Sequence, residues 1–227
     1  MNPSQAPRPV RVWDLPTRVF HWLLAAALIG MVITGKLGGN AMFWHVRLGL
    51  LVFTLLGFRL VWGLIGGRWS RFANFIYAPA TLFRYLRGEA QPGQHLDVGH
   101  SPLGALSVFA LLGVLIAQVA SGLVADDEIA TVGPLNIFVS NATGLQASSW
   151  HTSWGLWLLL ALVALHLVAI AVYRWRGRDL VTPMLSGDKL LSPEVPAAED
   201  STARRLLALL LLLAFAALAV WIARQGG

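Results

Sequence analysis

The sequence predicts an all-α integral membrane protein, a bundle of four transmembrane helices followed by a fifth, C-terminal transmembrane helix. Of its 227 residues, 56% are hydrophobic and 12% are charged, whereas about 25% of the residues of a typical soluble domain are charged. Five stretches approach or exceed the roughly 20 apolar residues that a membrane-spanning helix requires. None of them shows the alternation of polar and apolar residues that marks the strands of outer-membrane barrels.

The five predicted spans cover residues 18–35, 42–65, 102–124, 150–175 and 206–223. The first has a long apolar run and no small-residue cleavage site followed by a soluble domain, so we do not expect a cleaved signal peptide. The fifth is almost entirely Leu and Ala and holds no polar side chain over residues 206–220. We therefore expect it to serve as an anchor or as a docking element for a partner.

The domain organisation follows from one change in composition near the C-terminus. Residues 192–201 (SPEVPAAEDS) are rich in proline and acidic residues, a composition typical of a flexible linker. We therefore expect a four-helix core over residues 1–190, a flexible cytoplasmic linker over 191–203 and a transmembrane anchor helix over 204–227.

Lysine and arginine near the ends of the spans predict the orientation, because they accumulate in cytoplasmic segments. The N-terminal segment, the second connection and the fourth connection are basic, whereas no basic residue occurs between Arg87 and Arg174. We therefore expect the N-terminus to lie in the cytoplasm and the C-terminus on the opposite, periplasmic side of the membrane.

Composition also excludes several classes of function. There is no cysteine, which excludes disulfides, iron–sulfur clusters, thiolate zinc sites and covalently attached c-type haem. The net charge of +6 comes from residues that flank apolar runs, so nucleic acid is not an expected partner. All eleven acidic residues lie outside the spans, which disfavours a transporter or pump built on an intramembrane carboxylate.

Four histidines lie within or at the ends of spans, at two depths. His45 and His151 lie towards the periplasmic side, and His21 and His166 lie towards the cytoplasmic side. The two histidines of the fourth span are 15 residues apart, which makes about 22 Å of rise and a net rotation of roughly 60°, so they lie on broadly one side of that helix at two depths. Two histidine pairs stacked across a bilayer are the expected ligands of two six-coordinate b-type haems, because neutral imidazole binds haem iron.

The periplasmic pair shares a local pattern. Residues 44–49 (WHVRLG) and 150–155 (WHTSWG) both read W-H-x-x-x-G. A glycine one turn from a ligand, here Gly49 or Gly155, lets a flat macrocycle approach the backbone. The alternative is that these glycines serve only close packing of helices.

Haem propionates are anionic, and the candidate cations are Arg47 near the outer pair and Arg18 and Arg59 near the inner pair. Their alternative role is to extend towards the membrane interface.

His100, at the start of the third span, is a candidate to cap the helix, to bind a propionate or to line a quinone pocket. A zinc site would need three or four ligands at one point, which four histidines at two depths do not provide. We identify no catalytic residue.

With these residues the chain resembles the bacterial cytochrome b-561 family of di-haem b-type membrane cytochromes, which includes the hydrogenase-type cytochrome b subunits. The resemblance covers about residues 10–192. It is carried by the segments 13–22 (WDLPTRVFHW), 99–105 (GHSPLGA), 121–135 (SGLVADDEIATVGPL) and 173–189 (YRWRGRDLVTPMLSGDK).

The resemblance implies a four-helix transmembrane haem-binding bundle in which His21, His45, His151 and His166 ligate two non-covalent haems b. It also implies electron transfer across a bacterial inner membrane between the quinone pool and a periplasmic or peripheral redox partner, such as a c-type cytochrome or a dehydrogenase. Two alternatives stay open. One is a stand-alone superoxide:quinone oxidoreductase of the same family, and the other is a haem-free membrane anchor subunit.

Overall fold

The computed structural model describes residues 6–89, 95–129 and 131–226. Within them lie eight α-helices and two short β-strands. Their bounds are β1 Arg8–Arg11, α1 Leu15–Leu37, α2 Met42–Ile65, α3 Pro79–Leu86, α4 Pro102–Val124, α5 Asn141–Thr152, α6 Trp154–Trp175, α7 Val181–Ser186, β2 Asp188–Leu191 and α8 Thr202–Ala223.

In the described part of the chain, five helical segments are long and apolar enough to cross a membrane, which confirms the all-α transmembrane prediction. They are Leu15–Leu37, Gly39–Ile65, Pro102–Val124, Asn141–Trp175 and Thr202–Gly226. Local sequence explains several of their ends. Pro102 begins α4, where a proline suits the first turn because it has no N–H to satisfy. Ser140 caps α5 by accepting a hydrogen bond from the Thr143 backbone N–H at 3.3 Å.

The fourth span differs from the predicted one. Its helix begins at Asn141 instead of near residue 150, and it is interrupted at Ser153, whose φ of −115° and ψ of −98° are not helical. His151 therefore lies in the last turn of α5, whereas His166 lies on α6. The expected axial distance and rotation between these histidines assumed one unbroken helix, and that assumption was wrong.

The residues divide into two compact units. The first comprises residues 1–19, 59–109 and 166–208. It contains an antiparallel pairing of β1 with β2, in register from Arg8 opposite Leu191 to Arg11 opposite Asp188. The sequence indicated no strand here, because four residues are too few to show a period. The sheet contributes to a buried core of Val10, Val12, Trp13, Val98 and Val195.

A buried carboxylate lies at the start of α1 in this unit. Asp14 is fully buried and accepts hydrogen bonds from the Thr17 N–H at 2.8 Å, the Trp62 Nε1–H at 3.2 Å, the Gly67 N–H at 3.1 Å and the Ser70 hydroxyl at 2.8 Å. These bonds satisfy a charged group that would otherwise be costly to bury, and they join the N-terminal segment to the end of α2.

The segment predicted as a flexible linker also makes specific contacts in the first unit. The Ala198 N–H donates to the Arg11 carbonyl at 2.7 Å, and the Trp69 Nε1–H donates to the Pro196 carbonyl at 3.0 Å. The division into core, linker and anchor stays a prediction. Its outermost residues, 1–5 and 227, and residues 90–94 and 130 within the core, lie outside the described part of the chain.

The second unit comprises residues 20–58, 110–165 and 209–227. Parts of α1, α2, α4, α5, α6 and α8 form it. Small residues allow close packing here, as is usual between membrane helices. A methyl group at Gly30 of α1 would lie 2.9 Å from Cδ1 of Leu48 on α2, and one at Gly57 of α2 would lie 2.5 Å from Cε1 of Phe215 on α8. The fifth predicted span therefore packs against α2.

Candidate haem site

His45 of α2 and His151 of α5 lie beside each other in the second unit. Their ring centroids are 6.0 Å apart, and the planes of the two rings are at 87° to each other. Two metal–nitrogen bonds of about 2.0–2.1 Å, the length of zinc–imidazole bonds, together with the half-widths of two rings add to roughly 6 Å. The separation therefore fits one metal ion held between the two imidazoles.

Each of these histidines is oriented by the same kind of backbone contact. Nδ1 of His45 lies 3.0 Å from the Met31 carbonyl oxygen of α1, and Nδ1 of His151 lies 2.9 Å from the Gln118 carbonyl oxygen of α4. A carbonyl oxygen only accepts, so Nδ1 carries a proton in each ring, and Nε2 is left as the nitrogen that could bind a metal. This is the tautomer that ligates a metal through Nε2, with its other nitrogen held by an outer partner.

A hydroxyl and a glycine accompany each carbonyl. Thr34 Oγ1 lies 3.4 Å from Nδ1 of His45, and Ser121 Oγ lies 3.3 Å from Nδ1 of His151. The next residue in each helix is a glycine. A methyl group at Gly35 would lie 3.1 Å from Cε1 of His45, and one at Gly122 would lie 2.9 Å from Cε1 of His151. Each ring thus lies against the backbone of a neighbouring helix, in space that the side chain of any residue other than glycine would occupy.

A cavity of about 280 Å³ adjoins the two rings. Its lining is mostly aliphatic and comes from α1, α2, α4, α5, α6 and the loop after α4. Its polar side chains are Lys36, Gln118, Asp127, Thr131, Ser148, His151, His45 and Thr152. An apolar enclosure with two imidazoles fits a haem, whose potential depends on burial and on its axial ligands.

The donor set also bears on the zinc alternative. Among residues 6–89, 95–129 and 131–226, no group of three or more His, Cys, Asp or Glu side chains could hold a metal ion. A bare ion such as zinc needs three or four protein ligands, whereas haem iron carries four porphyrin nitrogens and needs two. The described residues thus suit a haem better than zinc.

The two glycines of the W-H-x-x-x-G pattern have different surroundings. Gly49 lines the cavity, and a methyl group there would lie 3.7 Å from Cε of Met31. A methyl group at Gly155 would lie 2.7 Å from Nε1 of Trp150 and 2.9 Å from Cδ of Gln118. Gly155 therefore has a packing role against the Gln118 side chain, and its contact with a macrocycle stays a prediction.

The two histidines of the other predicted pair, His21 and His166, belong to different units. His21 lies on α1 in the second unit, with its ring 5.1 Å from that of Trp22. His166 lies on α6 in the first unit. Both are half-buried, and their pairing as ligands of one haem stays a prediction.

The predicted propionate partners make other contacts. Arg18 donates to the Leu185 carbonyl. Arg47 lies over the Phe43 ring, 3.8 Å from its centroid. Arg59 is buried and donates to the Ser70 carbonyl at 3.0 Å. Their contact with propionates stays a prediction.

His100 lies within an aromatic cluster of the first unit. Its ring centroid is 4.8 Å from that of Trp13 and 4.4 Å from that of Phe75. Its carbonyl accepts a hydrogen bond from the Tyr77 hydroxyl at 2.8 Å. Its role towards a haem or quinone stays a prediction.

Two acidic residues of the loop between α4 and α5, Asp126 and Asp127, shape the backbone of that loop. Asp127 Oδ1 accepts from the N–H groups of Ile129 at 3.0 Å and Thr131 at 2.9 Å. Asp126 Oδ1 accepts from the Glu128 N–H at 2.8 Å. These bonds give both aspartates a structural role in a turn, a behaviour typical of Asp side chains.

Sequence reasoning missed the residues that orient His45 and His151, the two candidate ligands. Met31, Thr34 and Gly35 belong to the pentapeptide MVITG (31–35), and Gln118, Ser121 and Gly122 belong to QVASG (118–122). The shared V-x-[ST]-G, on two different apolar spans, is the signal that could have identified them.

Comparison with known proteins places the chain among membrane cytochromes. The family model described as prokaryotic cytochrome b561 matches residues 12–187. A probable Ni/Fe-hydrogenase B-type cytochrome subunit of Bradyrhizobium diazoefficiens is 21% identical over 216 residues, covering 79% of this chain and 85% of the relative.

Two further relatives carry similar names. A probable Ni/Fe-hydrogenase 1 B-type cytochrome subunit of Escherichia coli K12 is 22% identical, and the match covers 68% of this chain and 79% of the relative. A probable Ni/Fe-hydrogenase B-type cytochrome subunit of Rhodobacter capsulatus is 23% identical, and the match covers 79% of this chain and 81% of the relative. No solved structure gives a significant match. The chain belongs to the prokaryotic cytochrome b561 family and is a membrane-embedded b-type cytochrome of electron transfer.

Proposed function

We propose that this cytochrome holds two b-type haems, each between two histidines, and carries electrons across the inner membrane between the quinone pool and a redox partner. The pair of His45 and His151 carries the proposal, because its spacing of 6.0 Å suits a shared iron. The pair of His21 and His166 is proposed from the matching depths of these residues in the sequence.

The residues around the outer pair have three tasks in this proposal. The carbonyls of Met31 and Gln118 hold the Nδ1 protons, which orients the rings and makes Nε2 a stronger ligand. Gly35 and Gly122 make room for the rings, and the aliphatic lining excludes water. A bound b-type haem supplies an iron that accepts and returns one electron, so no protein side chain needs to react.

The redox partner is proposed from the names of the relatives. Because they are named as cytochrome subunits of Ni/Fe-hydrogenases, we propose that a hydrogenase or another dehydrogenase, or a c-type cytochrome, exchanges electrons with this chain. The proposed orientation has the N-terminus in the cytoplasm and the C-terminus in the periplasm. Quinone is the proposed membrane-soluble redox partner.

The test is haem quantitation on the protein purified in detergent, with a reduced-minus-oxidised spectrum. We expect two haems b per chain in the native protein, one in His45→Ala and one in His166→Ala. His95→Ala is the control, because His95 lies exposed in the loop before α4 and its loss should leave both haems. A native protein without haem would refute the proposal and favour the membrane-anchor alternative.

A second measurement tests the quinone part. Reduced quinol added to the oxidised native protein should reduce its haems, and dithionite should then add little further absorbance. Haems that dithionite reduces but quinol does not would remove quinone from the proposal while leaving the haem sites intact.

A further inference from the structure

The cavity beside His45 and His151 has one cationic side chain among its described lining residues, and it belongs to Lys36. Lys36 directly follows Gly35, the residue that lies against the His45 ring. The lining also contains one carboxylate, that of Asp127, whose Oδ1 accepts two backbone hydrogen bonds in the external loop. The positive charge at this cavity therefore comes from the last turn of α1.

Arg47 has a different location. Although it is two residues from His45 in sequence, its guanidinium lies 3.8 Å from the centroid of the Phe43 ring and 5.6 Å from that of Trp44. It does not contribute to the described lining of the cavity. Proximity in sequence thus pointed to one cation, and the folded helices bring another to the cavity.

We infer that Lys36 is the residue that neutralises a propionate of the outer haem and raises the reduction potential of that haem, an inference that rests on the proposed haem between His45 and His151. A propionate is a carboxylate, and an ammonium group is its natural ion-pair partner. A nearby positive charge favours the ferrous state, because reduction adds one negative charge in a medium of low dielectric constant.

The position of the Lys36 ammonium suits this role. Its Nζ lies 5.7 Å from the centroid of the Trp157 ring on α6, so the side chain extends from α1 towards the helix that follows His151. A cation–π contact of this kind is weak at an exposed site, which leaves the ammonium able to turn towards an anion in the cavity.

Two structural roles compete with this inference. A cation in the last turn of a helix stabilises the helix dipole, and a lysine at the end of a span anchors the helix at the membrane interface. Both roles depend on the charge at the helix end and neither involves the haem. They predict that removing the charge changes protein stability but leaves the haem potential unchanged.

The experiment is a spectroelectrochemical redox titration of the purified protein and of Lys36→Gln, Lys36→Arg, Arg47→Gln and Arg224→Gln. The titration component that disappears in His45→Ala identifies the outer haem. Arg224 is the charge control, because it follows α8 and lies on the same predicted side of the membrane without lining this cavity.

We expect Lys36→Gln to shift the midpoint potential of the outer haem alone to a more negative value. A tenfold lower equilibrium constant for reduction corresponds to a shift of about 59 mV. Lys36→Arg should keep the native potential, and Arg224→Gln should leave both potentials unchanged. Loss of the outer haem from Lys36→Gln, with the inner haem retained and Lys36→Arg still loaded, also supports the inference.

Native potentials in Lys36→Gln would overturn the inference. A shift of equal size in Arg224→Gln would also overturn it, because any charge on that side would then suffice. A shift in Arg47→Gln without one in Lys36→Gln would assign the propionate to Arg47. Absence of haem from the native protein is a separate result, and it would refute the proposed function itself.

Discussion

Replacement of Gly122 by alanine should displace one proposed haem ligand. The new methyl carbon would lie 2.9 Å from Cε1 and 3.2 Å from Nδ1 of His151, whereas carbon atoms in contact are about 3.5–4.0 Å apart. The ring must therefore move by roughly 0.6 Å or more. A movement of that size away from α4 would lengthen the 2.9 Å contact between Nδ1 and the Gln118 carbonyl beyond the usual range of a hydrogen bond.

Two opposing free-energy terms act in Gly122→Ala, and Gly113→Ala on the same helix is a matched control that has only one of them. Overpacking costs about 1–3 kcal/mol, whereas alanine is about 0.8–1.0 kcal/mol better than glycine in a helix. Among the described residues, no atom beyond the adjoining backbone of α4 would lie within 4 Å of a methyl group at Gly113. Gly113→Ala should therefore be stabilised by about 0.8–1.0 kcal/mol without a cost of overpacking. Gly35→Ala, with its methyl group 3.1 Å from Cε1 of His45, should be milder than Gly122→Ala.

The assay is haem content per chain, together with thermal denaturation in detergent. We expect Gly122→Ala to retain about one haem less than the native protein after purification, whereas Gly113→Ala retains the native amount and has an equal or higher Tm. Equal haem content and identical spectra in the two variants would refute the claim that the absence of a side chain at Gly122 positions His151.

Three further predictions concern the two units. Asp14→Asn should lower the Tm, because an amide nitrogen cannot accept the hydrogen bonds that the buried carboxylate accepts. Each unsatisfied buried group costs about 1–3 kcal/mol, so an unchanged Tm would contradict this role. Gly57→Ala should lower the Tm, because the new methyl group would collide with Phe215 of α8. The double variant with Phe215→Ala should recover part of that loss, and no recovery would argue against the contact. Burial raises the pKa of Asp200, but hydrogen bonds from Arg205 and the Leu15 N–H, together with the charges of Arg205 and Arg11, outweigh burial and hold that pKa below its ordinary value. The stabilisation is therefore complete above the unfolded pKa of about 3.9 and is lost as the pH falls through the lower folded value, so Asp200→Asn should flatten the acid limb of a plot of Tm against pH.

Much of the fold could be predicted because its signals are local. A membrane-spanning helix is a continuous apolar stretch of fixed length, and each of the five predicted spans corresponds to a helical segment that could cross a membrane. The start of α5 at Asn141 and the interruption at Ser153 were not predictable in this way. Residues 141–153 contain five hydroxyl-bearing side chains. Because the hydropathy of this segment is low, a search for apolar stretches does not detect the helix that precedes the apolar run.

Hydropathy and residue type do not depend on the fold, so the sequence was enough to predict the class of protein, to single out the four histidines and to exclude thiolate chemistry. The groups that surround His45 and His151, in contrast, follow from the folded arrangement of the helices. Their carbonyl partners lie 14 and 33 residues away in the chain, and Lys36 rather than Arg47 lines their cavity. Such contacts depend on how one helix is rotated against another, and that rotation results from the packing of all the side chains between them.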